Sequence, residues 1–535
     1  MSGFHDDLRG FRKIDKEIIE FSRGNRGGRR RMAIPNEEEF AEREAKLSEL
    51  EQRIDKEKTS SNSEVKGILA DHMLQIIDGM KAQVKESKSQ PHRYLHGLLY
   101  GIESISQPRD RERNEDNEES RLERTKEMLS KGGDLIKAVE NLCSNVPASS
   151  RRMVIDSLER IQGQADTAKD KLKDVFSKAS DSDLNNLVAS LNDIAKLAAD
   201  IKDQVKTLPE AKATEESFTY GENLKRIYDV DLDELLSWYE DEVEKCNKKV
   251  FDMAKELDPN RHPFEILDQD LPACDSAESM FALLRDCVAL AREKCQQWVT
   301  LPEGEECGVK PVPESIKDFY PWGGYGYEGN VLNGDLKGHV FLNQYNYATI
   351  TRGWIYMNAI HECYAGHHVH TVKTAAQNMP LTFKIGRAVP LSEGVCMRSE
   401  TLMQDIYGDK TYPLFTAYRR LHTAVRIMAD LAIFQFNQGE EAAVELYMKY
   451  LGLARHVAQG QVNSQMRTPG YFTTYYYGLQ KLESMQKECG WNDKDYTELI
   501  FSSGRFSLDL LPRLIKLNPE ERHLLFHNFY PEDER

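Results

Sequence analysis

The chain is expected to be mainly α-helical, folded as two helical lobes with one small β element. Three observations carry this expectation. Apolar residues recur at helical spacing through both halves of the sequence. A length of 535 residues is too great for a single core. Alternation with β-branched residues is confined to one short stretch, Leu336–Ile350, which contains GHVFLNQYNYATI.

Residues 1–60 are highly charged, and Gly24 to Arg31 (GNRGGRRR) reads as a solvated basic turn between two helical segments. From 63 to 208 the pattern is that of a helical bundle, with Ile68, Leu69, Met73, Ile76, Ile77 and Met80 on one stripe. Leu184–Leu208 repeats the pattern, and the charge-dense Ser106–Thr125 reads as an exposed loop. Residues 1–215 therefore form an N-terminal bundle region in which nothing requires chemistry. Residues 216–535 form a second helical region, strongest at Leu232–Leu257 and Ala277–Val299. Pro302 to Gly334 (with PWGGYGYEGN) has the composition of a loop or lid. The strand in Leu336–Ile350 stands just before Thr351–Ile360 and the histidine-rich segment beginning at His361, where it could pair with an extended substrate backbone.

The net charge of −17 argues against nonspecific binding to nucleic acid or to an anionic membrane surface. No apolar run approaches the ~20 residues that span a bilayer. The first residues carry no apolar leader, and the nine cysteines are odd in number and never arranged as CxxC. Together these predict a cytoplasmic protein with reduced thiols. Oligomeric state is not legible.

The chemistry is concentrated in His361-Glu362-Cys363-Tyr364-Ala365-Gly366-His367-His368. It opens like HExxH, in which two histidines one helical turn apart bind zinc and the glutamate works on water. Here the i+4 position is Ala365, and histidines follow at i+6 and i+7. On a straight helix His361 and His368 are separated by about 10.5 Å of rise, and His361 and His367 point about 120° apart. Neither pair can chelate one ion, so the helix must bulge or break between Tyr364 and His367. Gly366 is the natural break point, and the break would let His367 fill the missing place. A third ligand should come from Ser392–Glu400 (SEGVCMRSE), where Glu393 and Glu400 lie seven apart and share a helical face. One would ligate while the other orients a histidine. Cys363 reads as a small buried residue.

These segments resemble the metallopeptidase-like proteins grouped as domain of unknown function 885, whose hallmarks are HExxPGHH and then EGWALYAE. Here Ala365 replaces the proline and EGVCMRSE stands for the second segment. Arg426–Asp430 (RIMAD) matches an Arg-Leu-Val-Val-Asp run, and Pro469 to Gly478 matches PGQALSYKxG with Tyr471 in place of Gln. The resemblance is clear from about Gly221 to Leu514. It extends to helical zinc peptidases of the thimet-oligopeptidase and carboxypeptidase Taq type, and so implies a two-lobed helical metallopeptidase-like fold. It also implies Glu393 as third ligand with Glu400 behind. Aligning the Gly-His step favours His367 as ligand, whereas the distance to Glu393 favours His368 as the alternative.

The resulting expectation is a metal-dependent hydrolase of peptide or other amide bonds. Zn2+ would be held by His361, His367 and Glu393, a set that does not separate zinc from Mn2+. Glu362 would be the general base, and Tyr475, which matches the family's tyrosine, the oxyanion donor. Tyr471 and Tyr476 are near alternatives. Arg426 has the donors to anchor a substrate carboxylate, or it forms an ion pair with Asp430 at i+4. Two other classes compete. A zinc lyase or amide-ring-opening enzyme would select short, blocked or cyclic metabolites. A non-catalytic binding module would keep the metal for structure, but such sites normally have four protein ligands and no base.

Overall fold

In the computed structural model the described residues are 7–25, 34–60, 63–106, 118–146, 148–209, 219–312, 323–386 and 388–534. The Gly24–Arg31 turn lies almost wholly outside them. The fold is mainly α, with one three-stranded sheet. The chain divides into two units, one of Lys16–Arg53 and Ile77–Phe218, the other of Met1–Asp15, Ile54–Ile76 and Thr219–Arg535. The last border falls between Phe218 and Thr219, and two N-terminal stretches belong to the unit that holds Thr219–Arg535. Three of the borders fall within helices α1 (Arg9–Asn25), α2 (Glu37–Lys58) and α3 (Glu64–Ser89). Asp15 shows why the first residues belong where they do. Its buried carboxylate accepts from the amides of Leu381 and Thr382 and from the Tyr530 hydroxyl.

The first unit is built on α4 (His92–Ser106), α5 (Glu118–Cys143), α6 (Ala148–Val175) and α7 (Asp181–Thr207). Leu98, Ile102, Ile136, Leu158, Ile161 and Ile194 meet in its core, each burial contributing about 1.5–3 kcal/mol. The Ser180 side chain accepts from the Asp183 amide and caps α7. The charge-dense loop expected at Ser106–Thr125 is corrected in part. Residues 107–117 lie outside the described set, but Glu118 onward is helix, its charges suiting an exposed first turn.

The second unit contains α8 (Tyr239–Leu257), α9 (Ala277–Cys295), β1 (Glu306–Pro311), β2 (Gly323–Tyr327) and β3 (Lys337–Leu342). Then follow α10 (Arg352–Asn358), α11 (His367–Ala376), α12 (Val389–Leu402), α13 (Tyr412–Asp430), α14 (Glu440–Leu451), α15 (Arg455–Arg467) and α16 (Thr473–Cys489). The helix expected over Leu232–Leu257 is interrupted at Trp238, which leaves helical geometry to stack on Tyr477. The strand expected in Leu336–Ile350 is β3, with Gly338, Val340 and Leu342 buried in alternation. It is the central strand, parallel to β1 and antiparallel to β2. Both its edges are occupied, so it cannot pair with a substrate backbone. The Pro302–Gly334 loop is corrected too, since it supplies β1 and β2 on either side of 313–322, which lie outside the described residues.

Candidate metal centre

Helix α10 runs on into a π-helical turn, Ala359–Cys363, and ends at Tyr364. The peptide between Tyr364 and Ala365 is cis. Helix α11 restarts at His367 with Gly366 as its N-cap. A side chain at Gly366 would place its Cβ 1.9 Å from the His361 carbonyl oxygen, so only glycine fits this fold-back. The break falls where the spacing predicted it, and it brings the His361 and His367 rings to 5.0 Å, nearly perpendicular.

Helix α12 supplies the acids. Seven residues apart on one face, Glu393 and Glu400 both reach His361. Its Nδ1 lies 2.7 Å from Oε1 of Glu400, which keeps the ring proton on Nδ1 and turns Nε2 inward. Nε2 lies 3.4 Å from Oε2 of Glu393, and Nε2 of His367 lies 3.5 Å from the same oxygen. Arg419 pairs with Glu400 from behind at 3.3 Å, so that carboxylate is neutralised on both sides.

Whether these residues suit a metal can be tested on Glu393. Its Oε2 is buried and makes no hydrogen bond among the described residues, a costly arrangement for a carboxylate oxygen. In a tetrahedral zinc site with bonds of 2.0–2.1 Å, neighbouring ligand atoms stand about 3.3–3.4 Å apart. The two Nε2–Oε2 separations match that edge. On those two edges the residues suit a zinc-type ion between His361 Nε2, His367 Nε2 and Glu393 Oε2. The electrostatics agree. Burial pushes the His361 imidazole down, but the facing Glu393 carboxylate and the hydrogen-bonded Glu400 outweigh it and lift the group to about 10. Burial likewise pushes Glu393 up, and the His367 and His361 charges overcome it and hold the carboxyl well below its usual range. The site demands positive charge.

Cys396 is a third group near the two histidines; it, His361 and His367 offer ligand atoms within 4.8 Å of one another. Its sulfur faces the other nitrogen of His367, Nδ1, at 3.4 Å. Burial, then the charges of Glu393, Glu362 and Glu400, push its thiol well up. Because it meets Nδ1 rather than the Nε2 that faces Glu393, Cys396 suits a supporting contact to His367, and Glu393 suits the third ligand.

Helix α16 brings the tyrosines. It packs against α12 so closely that a Cβ on Gly478 would lie 1.8 Å from the Pro390 carbonyl, and one on Gly394 2.6 Å from the Gly478 backbone. Tyr471, just before α16, donates to Oε1 of Glu393 at 2.9 Å. Tyr475 lies parallel to the His361 ring at 6.3 Å, its hydroxyl 3.3 Å from that of Tyr471. Burial pushes the Tyr475 phenol well up, so it stays a proton donor. Glu362 is half-buried beside His361 and makes no hydrogen bond or ion pair among the described residues.

Two proposed residues are not brought to this centre. His368 is fully buried on the opposite side, with Nε2 2.7 Å from Glu305 and Nδ1 3.2 Å from the Tyr325 hydroxyl. Adjacent residues on a helix point about 100° apart, so only one of the pair can face His361. Tyr476 turns away for the same reason, donating to Glu242 on α8 at 2.9 Å. Arg426 forms no ion pair with Asp430. It donates to Gln461 at 3.3 Å and lies over the rings of Phe472 and Tyr475. The sequence reading missed Arg419, Cys396 and Glu305. Arg419 and Cys396 carry a retrospective signal, since Arg419 is seven before Arg426 and Cys396 is one turn after Glu393. Glu305 carries none.

A protein family described as "Bacterial protein of unknown function (DUF885)" matches residues 24–515. The chain belongs to this family. DUF885 thus takes in most of the N-terminal region, well before Gly221, where the motif resemblance begins. No curated protein matches. Two solved structures share the fold, each described as a "putative lipoprotein". The one from Colwellia psychrerythraea has a TM-score of 0.74 at 14% identity, covering 97% of this chain and 99% of the other. The one from Shewanella oneidensis, of unknown function, has a TM-score of 0.71 at 15% identity, covering 90% and 93%. The cytoplasmic expectation is corrected by these findings, since both structures that share the fold are described as "putative lipoprotein". No helix among the described residues is long and apolar enough to cross a membrane. That separates spanning from not spanning and assigns no compartment.

Proposed function

We propose that this DUF885 protein is a metal-dependent hydrolase of peptide or other amide bonds. The observation that carries the proposal is the Glu393 oxygen without a hydrogen bond, facing two imidazole nitrogens at ligand-edge distances. Zinc, or manganese in its place, would supply Lewis-acid polarisation of the carbonyl and acidify water. The chain's own residues do the rest. Glu400 and Arg419 fix the His361 ring; Tyr471 holds the second oxygen of Glu393. Glu362, with no partner among the described residues, takes the proton of the attacking water at its carboxylate and returns it to the leaving amine nitrogen. The Tyr475 phenol donates to the oxyanion.

The first test is metal content by mass spectrometry on wild type and on His361→Ala, His367→Ala, His368→Ala and Glu393→Ala. About one equivalent in wild type, lost in all but His368→Ala, is expected. Freshly prepared protein that takes up no metal even when zinc is supplied would end the hydrolase reading.

A further inference from the structure

Along one face of α13 stand Arg419, His422 and Arg426, at successive turns. Arg419 is matched by Glu400, whereas Arg426 is not matched by any carboxylate among the described residues. Its natural partner four residues on is engaged elsewhere. Asp430 receives Gln465 Nε2 at 2.7 Å on one oxygen and Thr473 Oγ1 at 2.9 Å on the other. The Arg426 guanidinium meets only neutral groups, Gln461 and the Tyr447 hydroxyl, and its buried Nε has no partner among the described residues. Independently, His422 is only 5% exposed, yet neither ring nitrogen has a hydrogen-bond partner among those residues. It lies in the field of both arginines. A half-buried guanidinium without counter-charge, beside an unpartnered imidazole, is a site built for an anion.

Its position names the anion. The Arg426 guanidinium carbon lies 5.4 Å from the centre of the Tyr475 ring, and that ring lies 6.3 Å from His361. An extended residue covers about 3.5 Å, so the gap suits one or two residues between a reacting carbonyl at the histidines and the end of a chain. We infer that Arg426, with His422, binds the terminal carboxylate of the substrate. The enzyme would then release one or two residues from a free C-terminus. This rests on the hydrolase reading for its reaction but not for its binding.

The test compares benzoyl-glycyl-phenylalanine with its C-terminal amide, on the protein as purified. Wild type should hydrolyse the acid with kcat/KM at least tenfold above that of the amide. Arg426→Gln should bring the ratio toward one, mainly through KM for the acid, and Arg426→Lys should restore part of it. Equal rates on acid and amide in wild type, or an undiminished ratio in Arg426→Gln, would overturn the inference. If neither compound is hydrolysed, the hydrolase reading suffers but the inference is still decided by calorimetric titration. Acid bound at least tenfold more tightly than amide, with that preference lost in Arg426→Gln, supports the carboxylate site; equal binding refutes it.

Discussion

Glu400 and His361 meet at 2.7 Å with Arg419 on the far side of the carboxylate, all three side chains buried. One acid thus answers two cationic groups. Glu400→Gln should leave the Arg419 charge buried without its partner, at a cost of about 3–5 kcal/mol. It should also weaken metal binding by roughly 10–100-fold through the loosened His361 ring. Denaturant titration and competitive zinc titration measure the two effects. A variant with wild-type stability and affinity would show that the contact is incidental.

Glu362 separates chemistry from architecture. Because it makes no hydrogen bond or ion pair among the described residues, Glu362→Gln should melt within a few degrees of wild type and keep its metal. Turnover should fall by about 10²–10⁴-fold. Parallel metal analysis and peptide hydrolysis check this, and retained turnover would remove Glu362 from the mechanism.

The adjacent histidines should behave oppositely. His368→Ala strands Glu305, which also receives the Tyr364 hydroxyl and Arg292, and should cost about 2–4 kcal/mol while the folded protein still binds metal. His367→Ala should be milder in stability and should abolish metal binding. Metal lost from both folded variants would mean that the two cannot be told apart by role.

Asp430 gives a pH dependence. Burial pushes its carboxyl up to about 7, against the opposing hydrogen bonds from Thr473 and Gln465. The folded state therefore holds a proton that the unfolded chain has already released. Stability from this group is full below about pH 4, falls as pH rises toward 7, and is level above it. Between pH 4.5 and 8 the loss is on the order of 3 kcal/mol. The stability difference between wild type and Asp430→Asn should shift by that amount between pH 4.5 and 8 in urea titrations. A flat difference would place Asp430 at its ordinary value.

Much of the site was legible because its parts are local. The gap between His361 and His367 forces a break, and Gly366 is the residue that allows one. Glu393 and Glu400 share a face by their spacing alone. What escaped reading depends on distant pairing. Glu305 meets His368 across 63 positions, through a chain reversal no periodicity announces. β2 reads GGYGY, a loop composition, and becomes a strand only because β3 offers it an edge. Tyr475 and Tyr476 differ by one step on a helix, and the direction of that step is set by α8, far away in sequence.

The contact between Gly478 and Pro390 has a consequence for anyone surveying this protein by mutation. Two helices rest backbone against backbone there, and the tyrosines and the acids ride on opposite members of the pair. Adding one methyl group would wedge them apart and pull Tyr471 off Glu393. Gly478→Ala would then read, in any screen scored by turnover, like the loss of a reactive group, although no reactive group was ever present. Transplanting the centre into another scaffold would fail for the same reason unless both glycines travelled with it.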